Sequence, residues 1–298
     1  MKFGSADNPG NLDLSLPDDH PDTKKILQEK DGTGTLNVYV GCAKWNRKDL
    51  KGFYPRGTKD ELEYYGSQFN AIELNATFYN IYSPEQIGEW REKVPDNFKF
   101  FPKVNQYISH MKWLNDIVER TDDLIDSIVH FEKKLGTTFL QLRSNFKPKF
   151  FGRVQAFIKY WPEGIPLAVE FRHPDWFQDE KVADELYALF EENDVANVIT
   201  DTAGRRDLLH MRLTNNEAFI RYVGANHPSD VNRLEDWVKR LEKWNQQGLK
   251  HIHFFVHQNL EKASPLLSAH FIEQMNETIG IDLKIPKIRD DVGQGDLF

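Results

Sequence analysis

The stretch TFLQLRSNFKPKFFGRVQAFIKYWPEGIPLAVEF (138–171) decides the fold. Its two ends, 138–142 and 167–171, are short apolar runs, and 150–161 between them carries apolar residues at helical spacing. Strand, helix and strand in that order imply parallel neighbours, because a parallel pair needs a crossover of roughly a dozen residues or more. The alternation extends in both directions. Further strand-like runs lie at 36–42, 71–74, 98–104, 197–199, 218–223 and 251–256, and helical patterns at 59–68, 84–93, 115–135, 179–192, 234–247 and 263–275. Only 201–216 lacks clear helical character, so one irregular βα unit follows the sixth strand. Eight sequential units favour closure into a single α/β domain, a (β/α)8 TIM-type barrel with parallel strands, and 298 residues suit one, since such barrels take roughly 250. An open doubly wound sheet is the rival, but no Gly-x-Gly-x-x-Gly follows an early strand, which removes support for its dinucleotide-binding version.

The barrel is expected over 36–280. Residues 1–35 are polar and broken by Pro9, Pro17 and Pro21, and read as an extended arm whose alternating Leu12, Leu14 and Leu16 are spaced to pack on the body. Residues 281–298 carry Pro286, Gly293 and Gly295 without periodicity and read as a flexible tail.

Composition narrows the function classes. Against 38 Lys+Arg stand 46 Asp+Glu, a net charge of −8 that argues against a generally basic nucleic-acid coat and against anionic membrane surfaces. A single Cys42 forms no internal disulfide and suits a reducing, cytoplasmic setting. No run approaches a membrane span, and the start has no apolar signal core.

In such barrels the chemistry sits at the C-terminal ends of the strands. Side chains alternate along a strand, so Glu73 and Asn75 share one face, as do Glu170 and Arg172. A charge inside an apolar strand is costly unless it is paired or faces a wet cleft, which singles out Glu73 and Glu170. The plain structural alternative is an internal salt-bridge layer, Glu170 with Arg172 and Glu73 with Lys103. The functional reading gathers Lys44, Lys103, Arg172 and Arg221 against Glu73, Glu170 and Asp201, with His110, His173 and His257 in adjoining loops. Such a mixture suits an anion held by cations while a carboxylate or imidazole moves protons. Glu73, Glu170 and His173 are then the catalytic candidates, and Lys44, Asn75, Lys103, His110, Arg172, Asp201 and Arg221 the substrate-binding ones. Nearby aromatics such as Phe78, Tyr79 and Trp113 suit stacking on a base or sugar ring, although packing over the strand ends accounts for most of them. No metal site is expected. His251 and His253 open the eighth strand, and His257 lies roughly 13 Å beyond His253 at strand rise. The cofactor is left open.

The motifs Gly-Cys-Ala-Lys-Trp (41–45), Phe-Tyr-Pro (53–55), Glu-Leu-Asn-Ala-Thr-Phe-Tyr (73–79), Ile-Ser-His (108–110), Leu-Gln-Leu (140–142) and Glu-Phe-Arg-His (170–173) together resemble the YecE-like family, domain of unknown function seventy-two, over about residues 37 to 275. The resemblance implies a TIM-type barrel with Glu73, Asn75, Lys103, His110, Glu170, Arg172 and His173 at motif positions, and no agreed reaction. The chain departs from the pattern at Ala43 and Lys44, where Ser-Gly is usual, and at Val256 to Asn259, where Asn-Asn follows Phe.

The chain ends Gln294-Gly295-Asp296-Leu297-Phe298, which looks like the bacterial sliding-clamp-binding peptide: Leu297 and Phe298 for an apolar groove, Gln294 for its edge. The expectation is therefore an enzyme for a nucleotide-like or otherwise anionic substrate, linked to DNA maintenance through its tail. The alternatives are a non-catalytic binding module recruited to a partner, and an isomerase or lyase for a small acid or sugar phosphate.

Overall fold

The computed structural model describes residues 4, 6–29 and 34–288. Nine parallel strands alternate with helices among them. The strands are β1 (Asn37–Cys42), β2 (Ala71–Leu74), β3 (Lys99–Pro102), β4 (Thr138–Gln141), β5 (Leu167–Glu170), β6 (Ala196–Asn197), β7 (Ile199–Thr202), β8 (Glu217–Gly224) and β9 (His251–Gln258). The helices are α1 (Pro21–Glu29), α2 (Glu61–Gln68), α3 (Ala76–Tyr79), α4 (Pro84–Glu92), α5 (Val118–Ile128), α6 (Phe151–Tyr160), α7 (Asp175–Gln178), α8 (Glu180–Glu192), α9 (Ser229–Gln246) and α10 (Ser264–Ile279). The crossover expected over 138–171 is there: β4 and β5 pair in parallel, with α6 between them.

Backbone pairing divides the strands into three sheets, β1-β9-β8-β7, β2-β3 and β4-β5-β6, rather than the one closed sheet the sequence predicts. Two of the three breaks have a local cause. Between β1 and β2, side chains stand where ladder bonds would: Asn70 accepts from Val40 N (2.9 Å) and donates to Val38 O (2.8 Å), while the Tyr65 hydroxyl accepts from Cys42 N (2.7 Å) and donates to Ala71 O (3.0 Å). Gly41 permits this approach, since a Cβ there would lie 2.1 Å from Ala71 O. Between β3 and β4 only two isolated bridges form, Phe100 with Leu135 and Lys103 with Phe139. The expected strand at 197–199 breaks at Val198 because the run changes partner: β6 pairs with β5, β7 with β8.

The apolar faces of α5, α6 and α8 pack on β2 to β5, and those of α9 and α10 on β1, β8 and β9. A further buried cluster takes Ala71, Phe101, Phe139, Ala168, Phe219 and Phe255 from strands of all three sheets. The helical pattern at 115–135 is realised as α5 and then a separate 3-10 segment, Val129–Lys134, in which Glu132 has φ 51°. Between β7 and β8 stands only the 3-10 turn Arg206–Leu208, the irregular unit.

The leading arm is not extended throughout. Pro21–Glu29 is helical, with Thr23, Ile26 and Leu27 buried, and Asp19 before it takes hydrogen bonds from Arg240 (2.6 Å), Lys243 (2.6 Å) and Trp244 (3.1 Å). Leu14 is buried, whereas Leu12 is exposed. Nor does the chain leave the body at 281: Asn276 exchanges two side-chain hydrogen bonds with the Leu283 backbone (2.8 and 2.9 Å), and Lys287 N donates to Gln68 Oε1 at 3.0 Å. Among the described residues no helix is long and apolar enough to cross a membrane.

Candidate functional site

Alternation along the strands sets the site. Two residues after six members of the shared apolar layer, on the same face, comes a polar residue of the site: Glu73 after Ala71, Lys103 after Phe101, Gln141 after Phe139, Glu170 after Ala168, Arg221 after Phe219 and His257 after Phe255. The polar layer therefore lies on the C-terminal side of the apolar one, and it draws on all three sheets.

Its centre is Arg221. The guanidinium grips Glu73 with two bonds, Nε to Oε2 (2.8 Å) and Nη2 to Oε1 (2.9 Å), and reaches Glu170 Oε2 through Nη1 (2.7 Å). Asn75 donates to Glu73 Oε1 (2.8 Å), and His257 Nε2 lies 2.9 Å from Glu73 Oε2. Glu170 also accepts from Arg172 Nε (2.5 Å) and from Gln141 Nε2 (2.8 Å), and Gln141 Oε1 accepts from Lys103 Nζ (2.9 Å). Both carboxylates are fully buried, and Arg221 and Lys103 nearly so. The expected Glu73–Lys103 pair is thus replaced by Glu73–Arg221, because the planar fork of arginine matches a carboxylate with two bonds and an ammonium does not.

Burial alone would raise both carboxyls. At Glu170 the charges of Arg172 and Arg221 more than reverse this and hold the group down to about 2, and at Glu73 Arg221 and His257 hold it well below the usual carboxylate range. Lys103 goes the other way. Burial, then the Arg221 charge, pushes its ammonium down to about 7. Its Nζ sits 4.4 Å from the centre of the half-buried Phe78 ring.

Arg172 joins this buried layer to solvent. With 21% of its side chain exposed, it lines an open cleft of about 600 Å³ together with His110, Trp113, Leu142, Arg143 and Gln106. The Arg143 guanidinium lies over Trp113, 5.4 Å from the ring centre, and donates to His110 O at 3.2 Å. The His110 ring meets Phe78 edge-on at 4.9 Å, and burial followed by the Lys103 and Arg143 charges pushes His110 down to about 4.

Of the residues the sequence picks out, the structure brings together Glu73, Asn75, Lys103, Glu170, Arg172 and Arg221, with His110 at the cleft beside them. Three others point elsewhere. Lys44 is exposed and pairs with Asp49 at 3.2 Å. His173 turns to the start of α7, where its Nδ1 accepts from Asp175 N at 3.2 Å. Asp201 occupies the outer face of β7, bonded to Arg206, to Arg233 (2.7 Å) and to Trp237 Nε1 (2.8 Å). The inward residue there is Thr200, which pairs in register with Arg221. Gln141 and His257 belong to the layer although neither is among the catalytic or substrate-binding candidates of the sequence, and the two-residue step from Phe139 and Phe255 is the signal that finds them. Buried Cys42 has its thiol pushed up, by burial first. Gln294, Leu297 and Phe298 lie outside the described residues. Among those described, no group of three or more His, Cys, Asp or Glu is placed to hold a metal ion.

Comparison with known proteins agrees with the motifs. The family described as "Protein of unknown function DUF72" matches residues 39–289. The chain is 25% identical over 264 residues to UPF0759 protein YecE of Escherichia coli K12, covering 81% of this chain and 94% of that one. To UPF0759 protein YunF of Bacillus subtilis it is 24% identical over 241 residues, 70% and 85% of the two chains. Among solved structures, a DUF72 family protein from Enterococcus faecalis superposes with a TM-score of 0.67 at 19% identity, covering 85% of this chain and 99% of that one. Another from Thermotoga maritima gives 0.62 at 23% identity, with 80% and 99% covered. The fold is therefore shared with that group, and the chain belongs to the DUF72 family.

Proposed function

We propose that this protein is an enzyme that binds a small anionic substrate, nucleotide-like or phosphorylated or a small acid, at the C-terminal ends of its strands. The observation that carries the reading is Arg172, tied to the buried ion-pair layer through Glu170 and also lining the open cleft with His110 and Arg143. In this reading Arg172 and Arg143 receive the anion, and Trp113 offers a flat face beside it. Carboxylates held as low as Glu73 and Glu170 are poor proton acceptors near neutral pH, so they serve as fixed counter-charges while Lys103 exchanges the proton. That favours the isomerase or lyase class over a carboxylate-driven hydrolase.

The proposal extends to architecture. The apolar layer common to the three sheets, the two bridges from β3 to β4 and the side-chain seam from β1 to β2 support one closed TIM-type barrel over 36–280, with 1–35 as an arm that is helical over Pro21–Glu29 and 281–298 as a tail whose first part stays on the body as far as Lys287. The lone Cys42 favours a cytoplasmic setting. A second reading, recruitment to a DNA sliding clamp, rests on the sequence of 294–298 alone.

The test is a thermal-shift and calorimetric screen of nucleotides, sugar phosphates and small carboxylic acids, with Arg172→Ala beside the wild type. At least one anion class stabilises the wild type, and Arg172→Ala loses that binding while its own stability falls by less than about 2 kcal/mol. A wild type that binds no anion, or an Arg172→Ala protein that binds as the wild type does, refutes the assignment.

A further inference from the structure

We infer that the Lys103 amine forms a covalent imine with its substrate, and that the substrate is a small 2-oxo acid whose carboxylate is held at Arg172. The inference rests on the anionic-site reading above and names its substrate class. Counting charge carries it. The buried layer holds two carboxylates, Glu73 and Glu170, and two guanidiniums, Arg221 and Arg172, joined pairwise at 2.5–2.9 Å. These cancel. An ammonium on Lys103 would be a surplus cation, and among the described residues no carboxylate oxygen lies within the 4.0 Å of an ion pair from its Nζ. Its hydrogen-bond partner is instead the neutral amide oxygen of Gln141 at 2.9 Å. A buried lysine with no carboxylate at ion-pair distance is shifted toward the uncharged form, and the lone pair of that form makes it a nucleophile.

Substrate class follows from what stands beside that amine. Lys103 connects through Gln141 and Glu170 to Arg172, a chain of bonds at 2.9, 2.8 and 2.5 Å that fixes a cation near the nucleophile. A molecule with a carbonyl next to a carboxylate presents a partner to each. The Phe78 ring lies against both Lys103 and His110, and His110 lines the cleft, so imine formation requires this half-buried ring to move aside for the substrate. In the step itself, Nζ attacks the carbonyl carbon and a C–N bond forms. The carbonyl oxygen departs as water with both amine protons, leaving a C=N bond, so no oxidant or reductant is needed.

The experiment treats the full chain with pyruvate or glyoxylate, reduces it with sodium borohydride, and maps the product by mass spectrometry. Pyruvate binding is followed in parallel by calorimetry without reductant. The expected result is one reduced adduct per chain, on Lys103, absent from Lys103→Met and Lys103→Arg and lowered roughly tenfold or more in Arg172→Ala at fixed pyruvate. Lys103→Met keeps the apolar stem, and circular dichroism establishes that it folds; if it does not, loss of the adduct in folded Lys103→Arg decides. Adducts scattered over surface lysines, or none, overturn the inference. Arg172-dependent pyruvate binding without an adduct overturns the imine alone, whereas neither 2-oxo-acid binding nor binding of any anion in the screen overturns the anionic site as well.

Discussion

Replacing Glu73 by Gln isolates the ion-pair layer from the rest of the fold. The amide fits the same volume but removes the charge that Arg221 grips twice and turns one acceptor into a donor facing a guanidinium N–H. Four contacts at 2.8–2.9 Å end on this carboxylate, from Arg221, Asn75 and His257. Hydrogen bonds to a charged group contribute about 1.5–3 kcal/mol each, and removing one partner of a buried pair costs about 3–5 kcal/mol in measured cases. Glu170 still faces Arg221 and a Gln oxygen still accepts a bond, so the net loss expected is about 3–4 kcal/mol at pH 7. Its pH dependence has a definite sign. The folded-state pKa of Glu73 lies below its unfolded value near 4.3, so the stability it contributes is fully present above that value and is lost as pH falls toward the folded pKa. The part of the gap between wild type and Glu73→Gln that comes from the Glu73 carboxylate itself is therefore flat above about pH 6 and narrows below about pH 4.3. Lys103, whose ammonium Glu73 helps to hold, adds a rise as pH falls through about 7. Urea titrations followed by circular dichroism at several pH values measure it. A loss under about 1 kcal/mol at pH 7, or a gap that widens as pH falls below about 4.3, would refute the reasoning.

Other outcomes separate the site from its surroundings. Asp201→Asn should destabilise the fold by about 2–4 kcal/mol through Arg233 and Trp237, yet leave anion affinity unchanged; altered affinity would place Asp201 in the site after all. Phe78→Ala should hydrate Lys103 and move the pH midpoint of borohydride trapping upward by about one unit, against a downward or absent shift if the ring does not shield the amine. Deleting 294–298 should abolish sliding-clamp pull-down without affecting anion binding, and clamp binding that survives the deletion disposes of that reading of the tail.

Much of this arrangement is legible in the chain because period-two alternation is a local property. Glu73 and Glu170 stand out as charges in apolar runs, and the crossover at 138–171 fixes parallel pairing. Phase is harder to read. Asp201 is the conspicuous charge of its run, but the inner face is set by Val198, so Thr200 points in and Asp201 out toward α9. Partner choice is not local either. Glu73 and Arg221 are 148 positions apart, and a guanidinium crossing the interior outcompetes the lysine on the neighbouring strand. The loop after β1 turns Lys44 to Asp49, a contact that no periodicity encodes. The leader likewise hides its helix: Pro21 reads as a breaker in an acidic segment, whereas at the first position of a helix it is favourable.

The seam where β1 faces β2 is stitched by an asparagine amide and a tyrosine hydroxyl in place of main-chain rungs. Main-chain rungs survive nearly every substitution, but these stitches are written in two codons. A change at Asn70 or Tyr65 can loosen the wall while leaving the pairing inside each sheet intact, and the amide protons of Val40 and Cys42 would be the first to trade with heavy water.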